Sequence, residues 1–157
     1  MSARAFQGVG AKVANGYRTY IVTGGGQDFV RVYPQQVYGI PPEQVVGTAT
    51  GTKYGYDKDG KPFLTKEPKL LLNDNDAGKP ERIHLEIGRR PRAAFGNSTG
   101  DRQMLEYTGA GDGARMMKLV LHDDAQREYE YGPARGLPDT KAVSYTHLRA
   151  HETGRNL

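Results

Sequence analysis

Thr23 and Gly24 set a hydroxyl beside a backbone amide directly after the β-branched and aromatic run Thr19-Tyr20-Ile21-Val22. At a strand end just ahead of a helix N-terminus, that pair suits phosphate oxygens, because amide donors and the helix dipole both favour negative charge. Taken alone, Gly24-Gly25-Gly26 reads first as a flexible turn. A second group is Gly78-Lys79-Pro80, a lysine after a turn at a helix start, where its ammonium can neutralise a phosphate and a neighbouring carboxylate. Taken alone, Lys79 reads first as a surface lysine. The third group, Gly96-Asn97-Ser98-Thr99-Gly100-Asp101, packs an amide, two hydroxyls and a carboxylate into one loop. Oxygen ligands on a loop are what Mg²⁺ takes, with waters and a substrate phosphate completing the octahedron. The competing role for this cluster is to cap the helix that follows.

These groups need strands and helices to hold them. A short helix is expected over Gly8–Ala14, ending at Asn15-Gly16, and then a strand over Thr19–Thr23 that stops at the glycines. Gln27–Tyr33 has helical apolar spacing, and Pro34 is expected to disturb that helix through a lost hydrogen bond and a steric clash. Gln44–Thr48 reads as a second strand running into Thr52–Tyr56. Asp59-Gly60 supplies hairpin-turn chemistry, and Lys61–Thr65 is the return strand. Lys69–Leu72 opens a further unit, followed by the polar cluster Asn73–Gly78 and a helix over Lys79–Gly88 with Ile83 and Ile87 at helical spacing. Ala93-Ala94-Phe95 is a short buried strand, Arg102–Tyr107 a helix and Lys118–Leu121 the last strand. Alternating strands and helices predict an α/β fold with a mainly parallel sheet and chemistry at its carboxyl edge.

In this order the three groups resemble the motifs of the haloacid dehalogenase (HAD) superfamily, specifically its phosphoserine-phosphatase-like phosphohydrolases. The matching segments are Tyr20-Ile21-Val22-Thr23-Gly24-Gly25 for the second motif, Lys79 for the third and Phe95-Gly96-Asn97-Ser98-Thr99-Gly100-Asp101 for the fourth. The resemblance covers roughly residues 13–135, and each motif is less specific than the ordered set. It implies a Rossmann-like three-layer sandwich with a small β-hairpin, and a small phosphorylated substrate. By that likeness Thr23 and the Gly24 amide bind the transferring phosphoryl group, Lys79 stabilises its charge and that of the nucleophile, and Asn97 and Asp101 hold Mg²⁺. Phosphoryl transfer demands such positioning and charge neutralisation.

Two departures matter. The fourth motif usually opens with an aspartate where this chain has Asn97, which shifts metal binding toward Asp101. The first motif, Asp-x-Asp-x-Thr, carries the nucleophile and the acid/base, and nothing from Met1 to Tyr20 is an Asp or Glu. Asp57-Lys58-Asp59-Gly60 falls in hairpin-turn chemistry, and Asp74-Asn75-Asp76-Ala77 reads as a solvated polar turn. In this superfamily the first strand lies centrally, between the strands of the second and fourth motifs. The expectation is therefore a C-terminal part of a HAD-like core over residues 1–142, without its central strand, poorly folded alone and catalytically inactive. The substrate-selecting cap would be missing too. Two other readings stay open: a non-catalytic module gripping a phosphate or nucleotide ligand at Thr23-Gly24, and a dehalogenase, which needs no Mg²⁺.

Residues 143–157 stand apart. His147 and His151 have the spacing of metal ligands on one helix face, but Val143-Ser144-Tyr145-Thr146-His147-Leu148-Arg149-Ala150-His151-Glu152-Thr153 is similar to the in-frame translation of a sequencing-library transposon adapter. This tail is read as non-native. Setting it aside removes two arginines and one glutamate and lowers the formal net charge of +4 by one.

Composition bounds the rest. The 157 residues suit one domain, and 36% hydrophobic residues plus 21 glycines give the ordinary globular balance. The small, dispersed basic excess gives little reason to expect a nucleic-acid partner. With no cysteine, disulfides, thiolate zinc sites and a Cys nucleophile are excluded. No apolar run approaches a membrane span of about 18 residues, and Met1–Phe6 lacks a signal-peptide core, so a soluble chain without a membrane partner is expected. His84 reads as a surface histidine, His122-Asp123-Asp124 as a polar loop, and Tyr107, Tyr129 and Tyr131 as packing residues. Gly109–Gly113 lacks the preceding strand of a dinucleotide fingerprint.

Overall fold

Ile21, Val22 and Thr23 are β-branched, which suits a pleated strand, and they begin β1 (Ile21–Gly26) in the computed structural model, which describes residues 16–120 and Gln126. The strand runs on through Gly24-Gly25-Gly26 instead of stopping there. Its partner is β2 (Val45–Tyr56), parallel to it, with Ile21 opposite Val45, Val22 opposite Val46 and Thr23 opposite Gly47. The register then shifts before Gly26 meets Thr48, so the glycines form an irregular strand end.

A parallel pair needs a crossover. Here it consists of α1 (Gln27–Val30), α2 (Pro34–Tyr38) and one 3₁₀ turn over Pro42–Gln44. The expected Gln27–Tyr33 helix is thus only four residues long, and Pro34 starts a second helix where it was expected to disturb the first. At a first helical position the missing N–H has no partner to lose, and the fixed φ is already helical. Gly39, at φ 65°, closes α2 in the left-handed region. Val30, Ile40, Val45 and Val46 are buried in this part of the chain.

β2 continues past Thr48 and pairs antiparallel with β3 (Pro62–Leu72), from Ala49 opposite Leu72 to Tyr56 opposite Pro62. Lys69–Leu72 therefore belongs to the hairpin's return strand and opens no further unit. The hairpin arms, residues 49–56 of β2 and Pro62–Leu72 of β3, extend beyond the expected Thr52–Tyr56 and Lys61–Thr65. Of the three strand pairings among the described residues two are parallel, and the longest single ladder is the antiparallel one. Its turn is fixed by Asp57, whose Oδ1 accepts the N–H groups of Asp59 and Lys61, both at 2.8 Å, and by Gly60 at φ 75°.

The described residues divide after Gly78 into two compact units. The second opens with α3 (Gly78–Ile87), closed by Gly88 at φ 68°. β4 (Ala93–Gly96) and β5 (Met116–Leu119) pair in parallel, and α4 (Arg102–Gly109) packs on both. Ile83, Ala94, Met104 and Leu105 are buried there. Thr108, fully buried, donates its hydroxyl to Met104 O at 2.9 Å, which satisfies it inside the helix. The Arg90 guanidinium stacks 4.1 Å from the Tyr107 ring centroid and donates to Tyr107 O, so Tyr107 packs as expected. The architecture is mixed α/β.

The expected 8–14 helix, His122, Asp123, Asp124, Tyr129, Tyr131 and the 143–157 tail lie outside the described residues. Among the described residues no helix is long and apolar enough to cross a membrane.

Candidate functional site

Lys79 and Asp101 stand 22 positions apart in sequence, one in the first turn of α3 and the other at the entry to α4. They meet as an ion pair, Nζ to Oδ1 at 2.9 Å, with side chains only 7% and 8% exposed. Lys79 is thus no surface lysine. Breaking such a buried pair by deleting one partner typically costs about 3–5 kcal/mol, because the remaining charge is left without compensation.

The second carboxylate oxygen of Asp101 organises the loop. Oδ2 accepts the Asn97 N–H at 2.8 Å, the Ser98 N–H at 3.1 Å and the Ser98 hydroxyl at 3.3 Å. Ser98 and Asp101 form a reciprocal capping box at the 3₁₀ turn Thr99–Asp101 that leads into α4. The capping reading of the loop therefore applies, and through Asp101 the loop also fixes a buried ammonium beside the carboxyl end of β4. Gly96 is required by this closure. A Cβ there would stand 2.4 Å from Asp101 Cβ, well inside van der Waals contact.

Asn97 and Asp101 were the expected Mg²⁺ ligands. Mg²⁺ demands a near-ideal oxygen octahedron and bare acceptors. Both Asp101 oxygens already accept hydrogen bonds or an ammonium, and Asn97 offers one neutral amide oxygen. Among the described residues no group of three or more His, Asp or Glu side chains could hold a metal ion. In this arrangement the two residues do not by themselves fit a Mg²⁺ site.

In the first unit, Thr23 and Gly24 sit inside β1 near its end. Thr23 Oγ1 accepts the Gly25 N–H at 3.1 Å, which uses a lone pair and leaves the hydroxyl proton to donate elsewhere. α1 is too short to offer a developed helix terminus, and its first turn carries Asp28, paired with Lys66 and more distantly with Arg31. Any anion held here therefore relies on the turn itself.

Several residues at this strand end went unnoticed in the sequence. Thr48 Oγ1 donates to Gly24 O at 2.8 Å and accepts the Asp74 N–H at 3.1 Å. Gln27 Oε1 accepts the Gly47 N–H at 3.0 Å. Asp74, expected in a solvated turn, is fully buried, and Asn75 lies against Gly24. No local pattern signals these contacts, since they depend on the long hairpin returning the chain to β1. Asp57 and Asp59 are in the hairpin turn, and His84 is exposed, both as expected.

Comparison of the chain with protein-family models and with curated proteins found no match.

Proposed function

We propose that this chain is part of a HAD-type phosphomonoester hydrolase that works through an aspartyl-phosphate, with a Rossmann-like core. The observation that carries the reading is the buried Lys79–Asp101 pair. The resemblance assigns Lys79 and the Asn97–Asp101 loop to one site, and they meet despite their separation in sequence. A lysine whose ammonium is anchored by a carboxylate, itself anchored by two backbone amides, keeps its charge in a fixed place, as transition-state stabilisation of a phosphoryl group requires. The resemblance gives Thr23 and the Gly24 amide the role of neutral donors to phosphoryl oxygens. A nucleophilic carboxylate is still needed. The first acidic residue of the chain is Asp28, after the second-motif segment, so the reading puts the nucleophile and acid/base upstream. The carboxylates for Mg²⁺ would come from there as well. Bound Mg²⁺ would neutralise charge on the phosphoryl oxygens.

The upstream nucleotide sequence tests this directly. An open frame encoding Asp-x-Asp-x-Thr ahead of Met1 is expected, and the extended chain should hydrolyse p-nitrophenyl phosphate with Mg²⁺ and lose that activity in Lys79→Ala. The 157-residue chain should show no turnover. A stop codon and promoter just before Met1 would overturn the reading, as would Lys79-dependent turnover by the 157-residue chain alone.

A further inference from the structure

The loop between β3 and α3 returns to the Thr23-Gly24 turn and is fastened there. Asp74 N–H donates to Thr48 Oγ1, and the same hydroxyl donates to Gly24 O. Asp76 takes the left-handed conformation at φ 50°, and Gly78 N–H donates to Asn75 O at 2.8 Å, closing the loop on itself. Gly78 has no room for a side chain, since a Cβ would stand 1.8 Å from Asn73 O. The outcome is an alternation: Asp74 is fully buried and Asn75, next to it, is exposed.

The Asn75 carboxamide lies on the face of Gly24. A Cβ added to Gly24 would stand 2.0 Å from Asn75 Oδ1 and 3.0 Å from Nδ2. A side chain at position 24 would displace this amide, the movable end of the Asn75 side chain. We propose that Asn75 is a further phosphate-contact residue of the turn, giving an amide N–H to a phosphoryl oxygen held by Thr23 and Gly24. The inference rests on the reading that Thr23 and Gly24 hold that group. It adds a prediction of character: in this unit the phosphate dianion is met by neutral donors, a hydroxyl, a backbone amide and a carboxamide. A carboxylate in place of the carboxamide would then repel the ligand while keeping the same size.

Titration of the ¹⁵N-labelled full chain with inorganic phosphate tests it, following the Thr23 and Gly24 backbone amides and the Asn75 side-chain NH₂. All three should shift with one apparent affinity. Asn75→Ala should weaken binding about tenfold, the effect of losing one hydrogen bond to a charged group. Asn75→Asp, the isosteric change that guards against misfolding, should weaken it further, with the remaining amide spectrum retained in both. Thr23→Ala should also weaken binding. Weakening by Thr23→Ala with wild-type affinity in both Asn75 variants would overturn the role of Asn75 and leave the parent reading standing. No phosphate-dependent shift at Thr23, Gly24 or Asn75 would overturn the inference, while the upstream frame remains the test of the parent reading.

Discussion

Replacing Asp101 by alanine removes the acceptor for four donors at once: the Lys79 ammonium, the Asn97 and Ser98 N–H groups and the Ser98 hydroxyl. The ion pair alone, at 7% and 8% side-chain exposure, places the loss in the buried range of about 3–5 kcal/mol, with little discount for solvent screening. Each amide left without an acceptor adds about 1–3 kcal/mol if it stays buried, but relaxation of the loop toward water recovers much of that. These contributions share one carboxylate and are not additive. A total loss of about 4 kcal/mol is expected, read by urea denaturation of the full chain at neutral pH. Asp101→Asn keeps the volume and one acceptor oxygen but no charge, and should lose about 1.5–3 kcal/mol. Amide hydrogen exchange supplies the local measurement: Asn97 and Ser98 should lose protection in Asp101→Ala, ahead of Ala94 in β4. A loss below about 1 kcal/mol with both amides still protected would show that the carboxylate does not organise the loop.

Two more outcomes follow from single contacts. Gly96→Ala should destabilise the second unit by about 1–3 kcal/mol, the range for overpacking, because its Cβ would fall 2.4 Å from Asp101 Cβ; unchanged urea unfolding would refute the close approach. The Tyr54 phenol is held above its ordinary range first by its hydrogen bond with Tyr56 and second by slight desolvation of a side chain that stays largely exposed. A raised phenol favours its neutral form in the folded chain, so Tyr54 should ionise later than free tyrosine as pH rises. Tyr56→Phe should bring it back toward about 10, followed by ultraviolet absorbance titration, and no downward movement would count against that bond.

How much of this was legible before the structure varies with how local the cause is. The periodic apolar residues Ile83 and Ile87 located α3, and the short run Ala93-Ala94-Phe95 located β4, because neighbours in sequence settle both. Ser98-x-x-Asp101 carries a capping pattern, so the helix entry was readable. The burial of Lys79 was not, since it depends on a carboxylate 22 residues away. Pro34 misled because the same residue breaks a helix interior and starts a helix, and only the length of the preceding segment separates the two roles. Lys69–Leu72 misled because Pro68 interrupts the run, although an edge strand tolerates proline where its missing N–H faces away from the partner. Asp74 looked like a surface turn residue for the same reason that Thr48 looked ordinary: their contact is made across the hairpin.

β2 changes partners between Thr48 and Ala49, and this gives one strand two kinds of stability. Its first residues, with Val45 and Val46 each 1% exposed, lie in a buried parallel pair, while Tyr54 and Tyr56 beyond belong to an exposed hairpin. Opening free energies should therefore step down along a single uninterrupted strand, with slow-exchanging amides before Thr48 and fast ones toward Asp57. The hairpin can fray from its tip without disturbing β1, and fraying stops mattering only while it stays short of Thr48. That threonine is where the exposed half of the strand meets the hydroxyl that fastens Gly24 to Asp74, so it acts as a mechanical fuse between the hairpin and the proposed phosphate-binding turn.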